Sequence, residues 1–346
     1  MSARKSEPEI AVRHPRETAE LFGHGEAEAA LLNAYRSGRI PHAWLIGGPQ
    51  GIGKATLAYR MARFVLANAD PMRPSVQRAE TLAIEPNDPV ARQVAASSHG
   101  GLLVLERGLN DRGVLRTVIT VDETRETISF FGSTAAVDGW RVCIVDTVDE
   151  LNPNAANALL KILEEPPQRS LFLLVSYSPA RALPTILSRC RKLPLRPLAT
   201  GDVIRAAAQA TDISSDDSAL AEAADASEGS VSRALTLMGG DALKLQQRTA
   251  ALLASLPRVD PRELHALGDA LGTSDRVALA AFIDGIDRWI GEKLRTDDAN
   301  ANLPRLARLA EVWEKIVRAA RDTESYNLER KPLVFSVFGM LAEATR

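Results

Sequence analysis

Ala43-Trp44-Leu45-Ile46-Gly47-Gly48-Pro49-Gln50-Gly51-Ile52-Gly53-Lys54-Ala55 is the stretch that decides the fold. Its first four residues are apolar and make a short buried strand. The glycines break that strand, and from Ala55 to about Asn68 a helix is predicted. Strand, glycine-rich loop and helix in this order are the setting in which Gly48, Gly51, Gly53 and Lys54 form a phosphate-binding loop. Glycines let backbone N–H groups converge on phosphate oxygens, and the lysine neutralises charge. The pattern then requires a serine or threonine whose hydroxyl ligates magnesium, and Ala55 stands there instead. Thr56 has an oxygen but lies about 100° further round the helix. It belongs to the same degenerate nucleotide site without replacing the missing ligand.

Working outward, apolar runs predict further strands at Leu102–Leu105, Arg141–Val145, Leu171–Val175 and Lys192–Leu195. Between them come predicted helices at Glu26–Arg36, Glu123–Phe131 and Asn154–Glu165, the last stopped by Pro166-Pro167, and a helical turn at Leu183–Ser188. Strands alternating with helices argue for a parallel sheet covered on both faces. Asp70 to Ser98 is polar and proline-bearing and reads as an irregular excursion. After Pro197 no strand is predicted. Gly201–Gln209, Ser218–Ser227 and Val231–Met238 read as three short helices. Leu279, Phe282, Ile283, Ile286, Trp289 and Ile290 form one stripe at helical spacing, and Leu306, Leu309, Trp313, Ile316 and Ala320 another. Such stripes belong to the core of a helical bundle. The division expected is an α/β P-loop domain over residues 1–198, a small helical lid over 199–241 and an all-α C-terminal domain over 242–346.

The bulk properties narrow the function. A chain of 346 residues with 45% hydrophobic and 25% charged residues is ordinary globular material for two or three domains. Its formal charge is -2, and aromatics are only 5%. A wide cationic face or a base-stacking platform for DNA is not expected from these values. Cys143 and Cys190 each sit in an apolar stretch and are expected as buried free thiols. No cluster has zinc-ligand spacing, and His14, His24, His42, His99 and His265 are scattered. The first twenty residues lack the apolar core of a secretory signal, and no apolar run reaches membrane-spanning length. The cytoplasm is the expected compartment.

The strand Val142-Cys143-Ile144-Val145 delivers Asp146. Alone, Asp146 is equally a turn former or an acidic residue that meets magnesium through water. Beside a P-loop, the second reading prevails.

Two ordered runs then narrow the field: Asn157-Ala158-Leu159-Leu160-Lys161-Ile162-Leu163-Glu164-Glu165-Pro166-Pro167 and Leu183-Pro184-Thr185-Ile186-Leu187-Ser188-Arg189-Cys190. Together with Gly38-Arg39-Ile40-Pro41-His42-Ala43-Trp44-Leu45 and Leu21-Phe22-Gly23-His24, they resemble the clamp-loader branch of the AAA+ ATPases over about residues 21–198. In that branch a glutamate follows the aspartate and polarises the attacking water. Here Thr147 occupies the place, and threonine cannot act as a base. The combination of Ala55 and Thr147 with an intact Ser188-Arg189-Cys190 is similar to the delta-prime class of subunit. It departs from the motor class, tau or gamma, which keeps both nucleotide motifs. Relatives often carry a four-cysteine zinc module here, but residues 67–98 contain no cysteine, so only a metal-free version fits.

The resemblance implies that Arg189, assisted by Ser188, is an arginine finger offered across a subunit interface to ATP held by a neighbour. Taken without it, Arg189 is a solvated arginine before a strand. Ser176 falls at the family's sensor 1 position. The sensor 2 arginine would align with Ser232, leaving Arg233 one place late and expected at the surface. Glu164 and Glu165 are adjacent on a helix, do not face each other, and read as capping or interface residues. No cofactor is required on this reading; ATP or ADP is expected to bind weakly without hydrolysis, and no metal site is expected. The implied partners are the motor and delta subunits, the sliding clamp, and primed DNA through the complex, with no membrane. The chain would then be a non-hydrolysing part of a DNA polymerase assembly. Two alternatives stay open: an active ATPase of the motor or helicase-like kind, and a nucleotide-stabilised binding module outside replication.

Overall fold

The computed structural model describes residues 11–108, 116, 118–132, 139–179, 183–238, 240–272, 276–296, 299–326 and 328–345. The chain divides into two compact units, Met1–Ala234 and Leu235–Arg346.

The first unit is built on five parallel strands, β1 (Ala43–Gly47), β2 (Leu102–Glu106), β3 (Arg141–Asp146), β4 (Ser170–Ser176) and β5 (Arg191–Pro194), in the order β2-β3-β4-β1-β5. Its helices are α1 (Gly25–Arg36), α2 (Lys54–Ala67), α3 (Pro74–Arg78), α4 (Pro89–Ala95), α5 (Val121–Gly132), α6 (Pro153–Glu164), α7 (Pro184–Leu187), α8 (Thr200–Ala210) and α9 (Ser218–Ala226). The doubly covered parallel sheet expected from the alternation is therefore present.

The alternation of side chains along each strand explains the two layers. Trp44, Ile46, Val142, Ile144, Leu171, Leu173 and Val175 pack with α1 and α2. Ala43, Leu45, Cys143, Val145, Phe172 and Leu174 face the opposite layer with α6 residues such as Leu159 and Leu163. The central strands carry near-continuous apolar runs because both of their faces are buried. All seven positions of β4 are buried. Cys143 is buried and free, and burial pushes its thiol pKa up. Cys190 is free but only half-buried, contrary to expectation, because it stands at the entrance to the edge strand.

The excursion at residues 70–98 is more ordered than its composition implies. It holds α3 and α4, each started by a proline at the first helical turn, where a missing N–H costs nothing. Glu28 of α1 anchors it. Its Oε1 accepts from Arg60 Nε at 3.0 Å and Nη2 at 2.6 Å, and from the Leu82 amide at 3.0 Å. Glu28 and Arg60 are 8% and 6% exposed. Breaking such a buried pair by removing one partner costs about 3–5 kcal/mol.

The second unit is helical. It contains α11 (Gly240–Ala254), α12 (Pro261–Leu271), α13 (Arg276–Thr296), α14 (Ala299–Ser325) and α15 (Arg330–Ala344), which follow α10 (Val231–Leu237). Leu279, Phe282, Ile286 and Ile290 of the first stripe and Ile316 of the second are buried in one core with Leu267, Leu271, Val334 and Phe338. Leu309 is also buried, and Ile283, Trp289, Trp313 and Ala320 pack against that core. The Leu306 side chain lies outside the described residues. Among the described residues, no helix is long and apolar enough to cross a membrane.

Candidate functional site

The loop between β1 and α2 has the backbone that glycine was expected to supply. Gly48, Gly51 and Gly53 adopt φ of 153°, 74° and 96°, values that L side chains rarely tolerate. Lys54 opens α2 and is 6% exposed. Its ammonium does not reach outward: Nζ donates to Gly48 O at 2.8 Å and to Pro49 O. Burial lowers the Lys54 pKa to about 8, with Asp146 and Asp149 opposing the shift. His24, 6% exposed, donates from Nε2 to Ile52 O at 2.7 Å and braces the loop from beneath.

Residues far along the chain cover the same loop. The Val231 amide donates to Gly51 O at 2.8 Å, and Ser230 Oγ donates to Gln50 O at 2.9 Å. A Cβ placed on Gly51 would collide with the hydroxyls of Ser230 and Ser232. Ser232, the position that aligns with sensor 2, therefore packs on the loop itself. Arg233, expected at the surface, has a side chain only 12% exposed and pairs with Glu228 at 3.4 Å. The correction follows from the helix: one position past Ser232 the side chain turns away from the loop and in towards Glu228.

Asp146 ends β3 in register with Glu106 of β2. Burial raises its pKa, and Glu106 adds to the shift, while Lys54 and Arg107 oppose it. Thr147 Oγ1 is buried without a hydrogen-bond partner, so the residue in the place of the base makes no polar contact through its side chain. Ser176 ends β4, is fully buried, and donates from Oγ to Asp149 Oδ1 at 3.0 Å. The Tyr177 and Ser178 amides donate to the same carboxylate at 2.8 and 3.3 Å. Asp149 thus ties the turn after β3 to the end of β4. The sequence reading passed over it, although its place three residues after Asp146 in Asp146-Thr147-Val148-Asp149-Glu150 was the available signal.

The residues present suit a magnesium–nucleotide complex poorly. Position 55 offers no oxygen, the lysine is held by its own loop, and serine hydroxyls lie over Gly51. Thr56, on the first turn of α2, is half-buried and does not change this. Among the described residues, no group of three or more His, Cys, Asp or Glu is placed to hold a metal ion.

Arg189 follows α7. Its Nη1 donates to Thr185 O at 3.0 Å and to Ser188 Oγ at 3.3 Å, and its Nη2 donates to Glu164 Oε1 at 2.6 Å. Ser188 Oγ in turn donates to Thr185 O at 3.0 Å. The arginine side chain is 33% exposed. Glu164, expected as a capping or interface residue, is thus the ion partner of Arg189. Arg191, two residues on, lies over the Trp44 ring at 5.0 Å, on the sheet face that packs with α1 and α2.

Comparison with known proteins places these features. Residues 23–199 match the family model described as "DNA polymerase III, delta subunit". A delta' subunit of DNA polymerase III from Pseudomonas aeruginosa is 37% identical over 149 residues, 43% of this chain and 41% of that protein. A gamma/tau subunit from Mycobacterium bovis is 33% identical over 186 residues, covering 53% of this chain and 29% of its own length. The delta' subunit of Escherichia coli is 31% identical over 233 residues, 66% of this chain and 64% of that protein. The chain therefore spans less than two thirds of each of these relatives. Because the family model covers more than half of the sequence and takes in the P-loop, Asp146 and Arg189 alike, the chain belongs to the DNA polymerase III delta subunit family.

Proposed function

We propose that the chain is a delta-prime-type subunit of a bacterial clamp loader: a non-hydrolysing stator that assembles in the cytoplasm with motor and delta subunits. In this role it lends Arg189, with Ser188 fixing the turn, to ATP bound by a neighbouring motor, and the complex loads a sliding clamp on primed DNA. The observation that carries the reading is the state of its own P-loop. Ala55 supplies no magnesium ligand, and Lys54 spends its ammonium on Gly48 O and Pro49 O. A guanidinium delivered in trans works by stabilising transition-state charge and is worth a factor of about 10³–10⁵ at the site it completes. No nucleotide or zinc is needed for this role. If ATP or ADP binds here at all, it does so weakly and stays intact.

The test is clamp- and primer-stimulated ATP turnover by a reconstituted loader, with wild-type chain or Arg189→Ala at matched assembly. Loss of turnover at the completed site, with the isolated chain inactive, is the expected result. Unchanged turnover together with hydrolysis by the isolated chain would instead favour an active motor-type ATPase. The gamma/tau relatives motivate that second reading.

A further inference from the structure

We propose that Glu164 is a positioning residue that acts through Arg189: an anionic place-holder that presents the guanidinium and is exchanged for phosphate when a neighbour's ATP arrives. The inference rests on the trans reading above. Arg189 is pinned at both ends of its fork, by Thr185 O and Ser188 Oγ through Nη1 and by Glu164 through Nη2 at 2.6 Å. The first two acceptors lie within four residues of it. The third comes from another element, 25 residues away, so the pair fixes where α7 delivers its arginine relative to α6.

Helix stability does not explain a carboxylate at this position. Glu164 is the last residue of α6, where the negative end of the helix dipole disfavours an anion. Glu165 caps the helix and Pro166-Pro167 then direct the chain away, leaving the Glu164 carboxylate at the helix end. The two side chains are 33% and 52% exposed, so water and incoming anions reach them. A triphosphate offers the guanidinium several oxygens and a higher charge than one carboxylate, and it repels Glu164. The half-exposed pair therefore competes with phosphate, yet weakly enough to be displaced. The consequence is a threshold: Arg189 stays ordered without committing until a phosphate is present.

The test is an ATP titration of the reconstituted loader carrying wild-type chain, Glu164→Gln, Arg189→Ala or both. Glutamine keeps the acceptor oxygen and shape of the side chain and removes the competing charge. It should lower the ATP concentration for half-maximal turnover about two- to five-fold, as loss of an exposed ion pair permits, with the maximal rate unchanged. In the Arg189→Ala background it should do nothing. A Glu164→Gln titration that superimposes on wild type, or a shift that persists without Arg189, overturns the inference while leaving the trans role intact. An Arg189→Ala loader that turns over like wild type removes the trans role and this inference together. On the isolated chain, side-chain ¹⁵N spectra should show the Arg189 guanidinium held more firmly in wild type than in Glu164→Gln, which keeps only uncharged acceptors. Equal mobility in the two would also overturn the place-holder.

Discussion

The P-loop flank and the Arg189 flank of the α/β unit use charge in opposite ways. On the P-loop flank the charges are buried and face inward. Arg60 meets Glu28, Lys54 meets loop carbonyls, and Arg63 donates to Arg16 O and Thr18 O at 2.9 and 2.6 Å. On the Arg189 flank the charged groups are only half covered and paired singly. Buried ionic groups left without partners carry a heavy penalty, so evolution cannot adjust them cheaply, whereas exposed pairs form and break near thermal energy. The difference teaches where this chain keeps fixed scaffold and where it keeps an ion pair that can exchange partners.

The comparison breaks most readily at Glu28. Glu28→Ala leaves the Arg60 guanidinium buried and the Leu82 amide without its acceptor, and should cost about 3–5 kcal/mol in urea unfolding of the isolated chain. A cost under about 1 kcal/mol would show that the P-loop flank is no more rigidly held than the other. Next comes Gly51→Ala. A left-handed φ of 74° and the Ser230 and Ser232 hydroxyls both oppose the new methyl group, for about 1–3 kcal/mol. Adding Ser232→Gly, which removes the nearer hydroxyl over Gly51, should recover part of that loss.

Lys54 sharpens the contrast by titration. Its folded pKa of about 8 lies below the ordinary 10.5, so the unfolded chain binds more protons between those values. The penalty for burying the ammonium is present in full below pH 8, and the Lys54 contribution to stability rises as pH climbs from about 8 to 10.5. An NMR titration of the Lys54 side chain should find the low midpoint and show no change on adding ATP. A midpoint near 10.5, or a marked rise with ATP, would mean that the loop opens and takes phosphate. The smallest effect is expected at Glu164, where Glu164→Gln should change the unfolding free energy of the isolated chain by less than about 1 kcal/mol. A larger loss would make that pair scaffold too.

The architecture was legible because local rules and tertiary demands agree. The runs at 43–47, 142–145 and 171–175 are apolar on both faces because both faces are covered, and the glycines at 48, 51 and 53 are needed for their backbone angles. What stayed hidden depends on contacts between residues distant in sequence. Ser230 reaches Gln50 across 180 positions, Ser176 reaches Asp149 across 27, and Arg189 reaches Glu164 across 25. No spacing rule encodes such pairs. The helices α3 and α4 were masked by their prolines, which read as breakers in a polar stretch but act as helix starters. Arg233 was misplaced because it stands one place past the position that aligns with sensor 2, which suggested solvent until Glu228 is seen beside it.

The outermost strand β5 guards one margin of the sheet. Its sequence is Arg191-Lys192-Leu193-Pro194, with only Leu193 buried. An open sheet margin is a template onto which any unfolded strand can add, and in the assembly proposed above chains of like design would bring that hazard close. A strand arriving here would lie against two cations and meet a proline that has no N–H to give. The margin thus acts as a lock against mistaken zippering, and any recognition of a neighbouring chain would fall to side chains, where it can be selective and undone.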